Sequence, residues 1–294
     1  MGDLVMTAQQ APQADSGGPA TVAVVGLGHM GSGMATSLVR GGRKVLGVDP
    51  VVGQQLDGVL RVQLATALRE AEVIVLSLPG GNQVQEVIDA VETVETPRVI
   101  IDTSTCDPRD TRRRAEQLAP GGHVLVDAPV SGGPSGALAG ELTVFLGCPD
   151  QHLAFVQAML APLVKTLTHV GDVGAGHTAK LVNNLLCGIH LCAAKVLLEV
   201  SEGAQIAPER LVEAVNAASG RSGVTEVNVP QWILSGTFDS GFPVGLMARD
   251  VELAVSVTEA LGVSSPVAAA AKEMWMQLRD QVGPQQDFNR MVKP

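Results

Sequence analysis

Residues 21–49 read TVAVVGLGHMGSGMATSLVRGGRKVLGVD, and this stretch decides the fold. TVAVVG is a short β-branched run that ends in glycine. GHMGSGMATSLVRGG follows with helical spacing and a glycine stop. KVLGVD then reads as a second strand. Strand, glycine turn, helix and strand make a β-α-β unit. Within it, Gly26-Leu27-Gly28-His29-Met30-Gly31 is G-x-G-x-x-G, directly after a strand and opening a helix. That context is what gives the pattern its meaning as a dinucleotide site. Gly26 permits the tight turn, Gly28 lets a pyrophosphate approach the backbone, and Gly31 allows close packing of helix on sheet. The helix N-terminus supplies N–H donors to the phosphates. Asp49 closes the second strand. An acid there binds the ribose hydroxyls and repels a 2′-phosphate. Pro50, not arginine, follows it, so NAD is expected over NADP. The competing reading is a glycine-rich turn with Asp49 as a plain strand end.

Outward from this unit, further strands read at EVIVLSLP (72–79), RVIIDTS (98–104), HVLVDAP (123–129), LTVFLG (142–147) and, more weakly, KTLTHVG (165–171). Helical stretches separate most of them. Near-continuous apolar runs are the mark of buried parallel strands. Alternating strands and helices predict a Rossmann-type doubly wound sheet with right-handed crossovers. After Gly171 no strand-like run follows. A long helix is predicted over about 176–205, then shorter ones around 208–219, 226–235, 243–262 and 264–282. Pro208, Pro230, Pro243 and Pro266 stand where these would begin. The chain therefore reads as an α/β dinucleotide-binding domain (20–171) and an all-α domain (172–294) joined by the long helix. A cleft between two domains is the default ligand site. Residues 1–19 read as a disordered leader, with no secretory or myristoylation pattern.

Composition excludes other classes. The chain has 294 residues, 46% of them apolar, 17% charged, and a formal charge of −10. It is too apolar to be disordered. Only 5 Phe and 2 Trp are present, with no Tyr. Nucleic-acid platforms need stacking rings and a basic groove, so no nucleic-acid partner is expected. The absent tyrosine excludes a Tyr-x-x-x-Lys dehydrogenase. Cys106, Cys148, Cys187 and Cys192 form no C-x-x-C pair and read as reduced thiols. Cys187, His190 and Cys192 suggest a metal, but residues i and i+5 do not share a helix face, so none is expected. The most apolar helix, Leu181–Val200, carries Asn183, Asn184, His190, Lys195 and Glu199. No membrane span is expected, and a cytoplasmic protein is the default.

A dehydrogenase needs a group that takes the hydroxyl proton as hydride leaves. The histidines are candidates, His177 among them because it stands near the hinge. Lys180 is the better one. It lies one turn into the long helix, and Asn184 follows at i+4 on the same face. Burial and the nearby helix N-terminus should depress its pKa. The alternative is an exposed lysine near a helix start. A second constellation, Asp127-Ala128-Pro129-Val130-Ser131-Gly132-Gly133-Pro134, sits at a strand end. Ser131 and the N–H groups of Gly132 and Gly133 suit a carboxylate; a plain glycine turn is the other reading.

Together these segments resemble the β-hydroxyacid dehydrogenases, a family whose N-terminal logic is shared with phosphogluconate dehydrogenases. The resemblance runs from about residue 21 to the end. VAVVGLGHMGSGMA resembles the family's dinucleotide signature, DAPVSGGPSGALAGELTVFLG its substrate segment, GAGHTAKLVNNLL its catalytic-lysine segment, and GFPVGLMARDVELA its late Lys-Asp segment. The resemblance implies Lys180 as acid/base, Asn184 as its orienting partner, and Ser131 and Gly132 on the substrate carboxylate. It places Leu78, Pro79, Thr105, Arg249 and Asp250 by the cofactor. Arg249 stands where the family has lysine, and the two differ in donor geometry. The implied reaction is NAD-dependent oxidation of a small β-hydroxyacid such as 3-hydroxyisobutyrate, a sugar acid or a sulfonate, without a metal. Imine reductases and inactive cofactor-binding relatives typically lose the lysine. The chain is expected to be a homodimer or homotetramer.

Overall fold

The computed structural model describes residues 20–51, 53 and 55–292. The leader reading for 1–19 lies outside these residues. The described chain divides along its sequence into two compact units, the division falling between Ala179 and Lys180.

The first unit is built on a nine-stranded sheet. Its strands are β1 (Thr21–Val25), β2 (Lys44–Val48), β3 (Val59–Arg61), β4 (Val73–Leu76), β5 (Val99–Asp102), β6 (Val124–Asp127), β7 (Val130–Ser131), β8 (Leu142–Gly147) and β9 (Val164–Gly171). The order is β3-β2-β1-β4-β5-β6-β8-β7, with β9 on β8. Its first six strands reproduce the dinucleotide-binding order, so ligands are expected beyond the carboxyl ends of β1 and β4, where the winding reverses. Helices α1 (His29–Arg40), α2 (Leu64–Glu70), α3 (Gly81–Glu92), α4 (Pro108–Leu118), α5 (Gly133–Ala139) and α6 (Asp150–Leu160) connect them. β4 (VIVL) and β5 (VIID) are buried along their whole length, as central parallel strands should be. Their side chains feed two apolar clusters, one holding Val24, Met34 and Leu142, the other Leu46, Ile74 and Ile100.

Two features depart from the expected parallel sheet. β8 runs antiparallel to β6 and β7. The connection from Ser131 to Leu142 is about ten residues, shorter than the dozen or more that a parallel crossover needs. β3 has only three residues and no extended apolar run to announce it.

The second unit is helical. It takes most of α7 (Ala175–Gly203), then α8 (Pro208–Asn216), a π-helix (Val224–Leu234), α9 (Val244–Ala260) and α10 (Pro266–Val282). Pro208 and Pro266 stand in the first turns of their helices, and Pro243 is an N-cap. Pro230 does not begin a helix; it lies inside the π-helix. Proline lacks an N–H and crowds the carbonyl four residues back, and wider i→i+5 winding is one way to carry it.

Among the described helices, α7 alone is long and apolar enough to cross a membrane, with a mean hydropathy of 1.7. Its buried residues include Lys180 and Asn184 beside Leu181, Leu185 and Leu191, so it reads as the core helix of its unit. Gly188 lets α10 approach: a Cβ there would stand 2.8 Å from Trp275 Nε1. That indole nitrogen donates to the Gly188 carbonyl at 3.3 Å, and Trp275 is fully buried. Trp275→Ala is expected to cost about 3–5 kcal/mol by denaturant titration. A loss below about 1 kcal/mol would show that the ring does not organise this core.

Candidate active site

The loop after β1 has the geometry of a phosphate cradle. Gly26 takes φ +92, and a Cβ on it would strike the Ser77 carbonyl oxygen. A Cβ on Gly31 would strike the carbonyl oxygen of Gly26, so α1 starts hard against the strand. At Gly28, the N-cap of α1, no atom beyond its own chain neighbours stands within 4 Å of where a Cβ would be. The first intrahelical bond runs from Ser32 N–H to the Gly28 carbonyl. The N–H groups of His29, Met30 and Gly31 are thus the ones left to an anion, and the three glycines stand in the three roles the dinucleotide signature requires.

Asp49 follows β2 and is tied to this loop. Leu27 N–H donates to its Oδ2 at 2.7 Å and Val51 N–H to its Oδ1 at 2.8 Å. Arg61, on β3, donates to the Asp49 carbonyl at 2.7 Å. Sequence reading missed this arginine because it stands on the strand that carried no signal. Beyond β4, Leu78 N–H donates to Ser104 Oγ at 3.1 Å, with Pro79 next to it and Thr105 following Ser104. Ser131 ends β7, opposite Thr143 of β8. Gly132 (φ +124) and Gly133 (φ +66) take backbone angles that favour glycine, and the space at a Gly133 Cβ is open.

In the second unit, Lys180 and Asn184 are one turn apart on α7, 8% and 4% exposed. Asn184 Nδ2 donates to Asp250 Oδ2 at 2.8 Å. Arg249 donates from Nε (3.1 Å) and Nη2 (2.8 Å) to Asp250 Oδ1. Asp250 is 1% exposed, so both of its oxygens are engaged by a buried amide and a guanidinium. The resemblance groups Arg249 and Asp250 with the cofactor; in the structure they also form the support under Asn184. Helical spacing cannot show this, because 66 residues separate the partners.

Burial lowers the Lys180 pKa below the ordinary lysine range, while the Asp250 carboxylate pulls it back up. Burial pushes Cys187 and Cys192 each up to about 11. Both are therefore thiols at neutral pH, a poor state for metal ligation. A lysine whose charged form is penalised by burial, beside an oriented amide, gives up its proton at lower pH than a free lysine does.

Two family models match the chain. Residues 21–171 match the NAD binding domain of 6-phosphogluconate dehydrogenase. Residues 174–294 match the model described as NAD-binding of NADP-dependent 3-hydroxyisobutyrate dehydrogenase. The 2-(hydroxymethyl)glutarate dehydrogenase of Eubacterium barkeri is 31% identical over 92% of this chain and 93% of its own. The 3-hydroxyisobutyrate dehydrogenase of Pseudomonas aeruginosa is 32% identical over 86% of this chain and 90% of its own. Among solved structures, the Mycobacterium tuberculosis 3-hydroxyisobutyrate dehydrogenase with L-serine superposes with a TM-score of 0.84 at 28% identity, covering 93% of this chain and 98% of that one.

Proposed function

Because this chain belongs to the β-hydroxyacid dehydrogenases, NAD-binding oxidoreductases of β-hydroxyacids, we propose that it oxidises a small acid of the 3-hydroxyisobutyrate type to its semialdehyde, with Lys180 as general acid/base. The carrying observation is the buried Lys180–Asn184 pair braced by Asp250. Ser131 and the N–H groups of Gly132 and Gly133 take the carboxylate. Asn184 orients the hydroxyl and Lys180 Nζ accepts its proton. Bound NAD supplies the hydride acceptor. The phosphate loop holds the pyrophosphate, and Leu78, Pro79 and Thr105 flank the nicotinamide half. A net charge of −10 does not draw in an anion, so the acid is held by local donors. The test is NAD reduction by purified protein with 3-hydroxyisobutyrate, threonate, glycerate, 4-hydroxybutyrate and 2,3-dihydroxypropanesulfonate. Turnover is expected with at least one 3-hydroxy acid. Tight NAD binding with no turnover on any would overturn the reading.

Asp49 makes NAD the preferred cofactor. Asp49→Ser combined with Pro50→Arg is expected to raise kcat/KM with NADP relative to NAD by tenfold or more, on the order of one charge-assisted contact. A native enzyme that already prefers NADP would contradict this role. Cys148, Cys187 and Cys192 form no disulfide, the state a reducing cytoplasm maintains. Val182, Leu186, Val196 and Val200 are exposed along one side of α7. Such a stripe suits pairing with a second copy. Leu186→Glu is then expected to shift the protein toward its 30.4 kDa monomer in light scattering.

A further inference from the structure

We propose that His177 is a positioning residue for this reaction: its ring and backbone tie the first turn of α7 to the ends of β5 and β6, and so hold the helix on which Lys180 stands. The inference rests on the reading of Lys180 as acid/base. His177 is fully buried, and so are Asp102 and Asp127, 1% and 0% exposed. Nε2 of His177 lies 3.0 Å from the Ser104 carbonyl oxygen, and Nδ1 lies 2.8 Å from Thr111 Oγ1 on α4. The His177 N–H donates to Asp127 Oδ2 at 2.7 Å, and Gly174 N–H donates to Oδ1 of the same carboxylate, also at 2.7 Å. Asp102 Oδ1 in turn accepts from Ser104 N–H at 2.9 Å.

His177 thus gathers, through its ring, the loop after β5 and α4, and, through its backbone N–H, the end of β6, all at the start of α7. Ser104 extends the connection, since its Oγ accepts from Leu78 N–H beyond β4. The helix start has no room to shift: a Cβ on Gly176 would stand 2.7 Å from the Asp127 carbonyl oxygen and 2.8 Å from Gly147 N. Ligand atoms of Asp102, Cys106 and His177 all lie within 4.8 Å of one another. Both ring nitrogens of His177 are engaged by hydrogen bonds, however, so the trio reads as an anchor and not as a cation site. A buried polar network of this kind adds little net stability over apolar side chains of the same shape. What a fully satisfied one does add is a single fixed position. Thr105, expected at the nicotinamide, adjoins Ser104, and Lys180 comes three residues after His177 on the same helix.

Steady-state kinetics on the full chain test this. His177→Leu is expected to lower kcat about 10–10²-fold, as a misplacement near 1 Å does, with KM for NAD within about threefold. His177→Gln supplies one donor and one acceptor in the place of the ring, and is expected to recover most of the loss. Thr111→Val, which removes the bond to His177 Nδ1 together with the hydroxyl's bond to the Asp107 carbonyl, should fall between. Lys180→Ala is the reference: if it turns over normally, the reading of Lys180 fails whatever His177 does. If Lys180→Ala is inactive while folded His177→Leu and Thr111→Val match the native kcat, the positioning role is overturned. Equal loss in the Gln and Leu variants overturns it too. Should His177→Leu not fold, the Gln and Val variants decide.

Discussion

Replacing Lys180 by alanine is expected to lower turnover at least ~10²-fold, the scale of a lost general base, while NAD affinity stays within about twofold. In the proposed reading the cofactor is held by other residues: the phosphate loop and Asp49 lie in the first unit, outside the Lys180–Asn184–Asp250 group. Pre-steady-state absorbance at the NADH band should show the loss in the chemical step. Near-native turnover would remove Lys180 from the mechanism. The same substitution has a signed effect on stability. Burial lowers the Lys180 pKa in the folded chain, so between that value and about 10.4 the unfolded chain binds more protons. The native protein therefore gains stability as pH rises through this window, and loses it as pH falls toward the folded value. The alanine variant lacks that contribution, so its melting temperature should rise less steeply with alkaline pH.

Replacing Asp250 is the second large effect, and its two variants separate charge from position. Asp250→Ala removes the acceptor for Asn184 Nδ2 and the partner of Arg249 together. A kcat loss of about 10²-fold is expected from the freed amide, on the scale of small misplacements. Asp250→Asn keeps the shape and an acceptor oxygen but removes the charge. That carboxylate raises the Lys180 pKa against burial. Without it Lys180 becomes neutral at lower pH, and the acid side of the oxidation profile should move down the pH scale. A profile that stays in place, or moves up, would show that Asp250 does not act on Lys180 through charge.

These two residues also show what the sequence made legible. Lys180 and Asn184 are four apart on one helix, so their shared face follows from helical spacing alone. The phosphate loop was equally plain, because G-x-G-x-x-G stood between a strand and a helix, and Gly26 and Gly31 leave no room for a side chain while Gly28 faces open space. Five of the six parallel core strands were readable from their unbroken apolar runs. What spacing could not show were contacts between elements distant in sequence. Asp250 under Asn184, Arg61 on the Asp49 carbonyl, and His177 on Ser104 and Thr111 are tertiary facts. Asp127 was visible only as a strand end, and its role as the acceptor for two N–H groups of the α7 start arises from the fold. β3 and the direction of β8 were missed for a local reason: three residues give no period, and the length of a connection, not its pattern, decides strand direction.

The claim that a buried lysine takes the substrate proton is tested most directly by kcat/KM for oxidation measured against pH. The native enzyme should rise along a limb whose midpoint lies below the ordinary lysine range, and Lys180→Ala should show a flat, much lower profile across it. The same limb, at the same midpoint, in the Lys180→Ala variant would contradict the account.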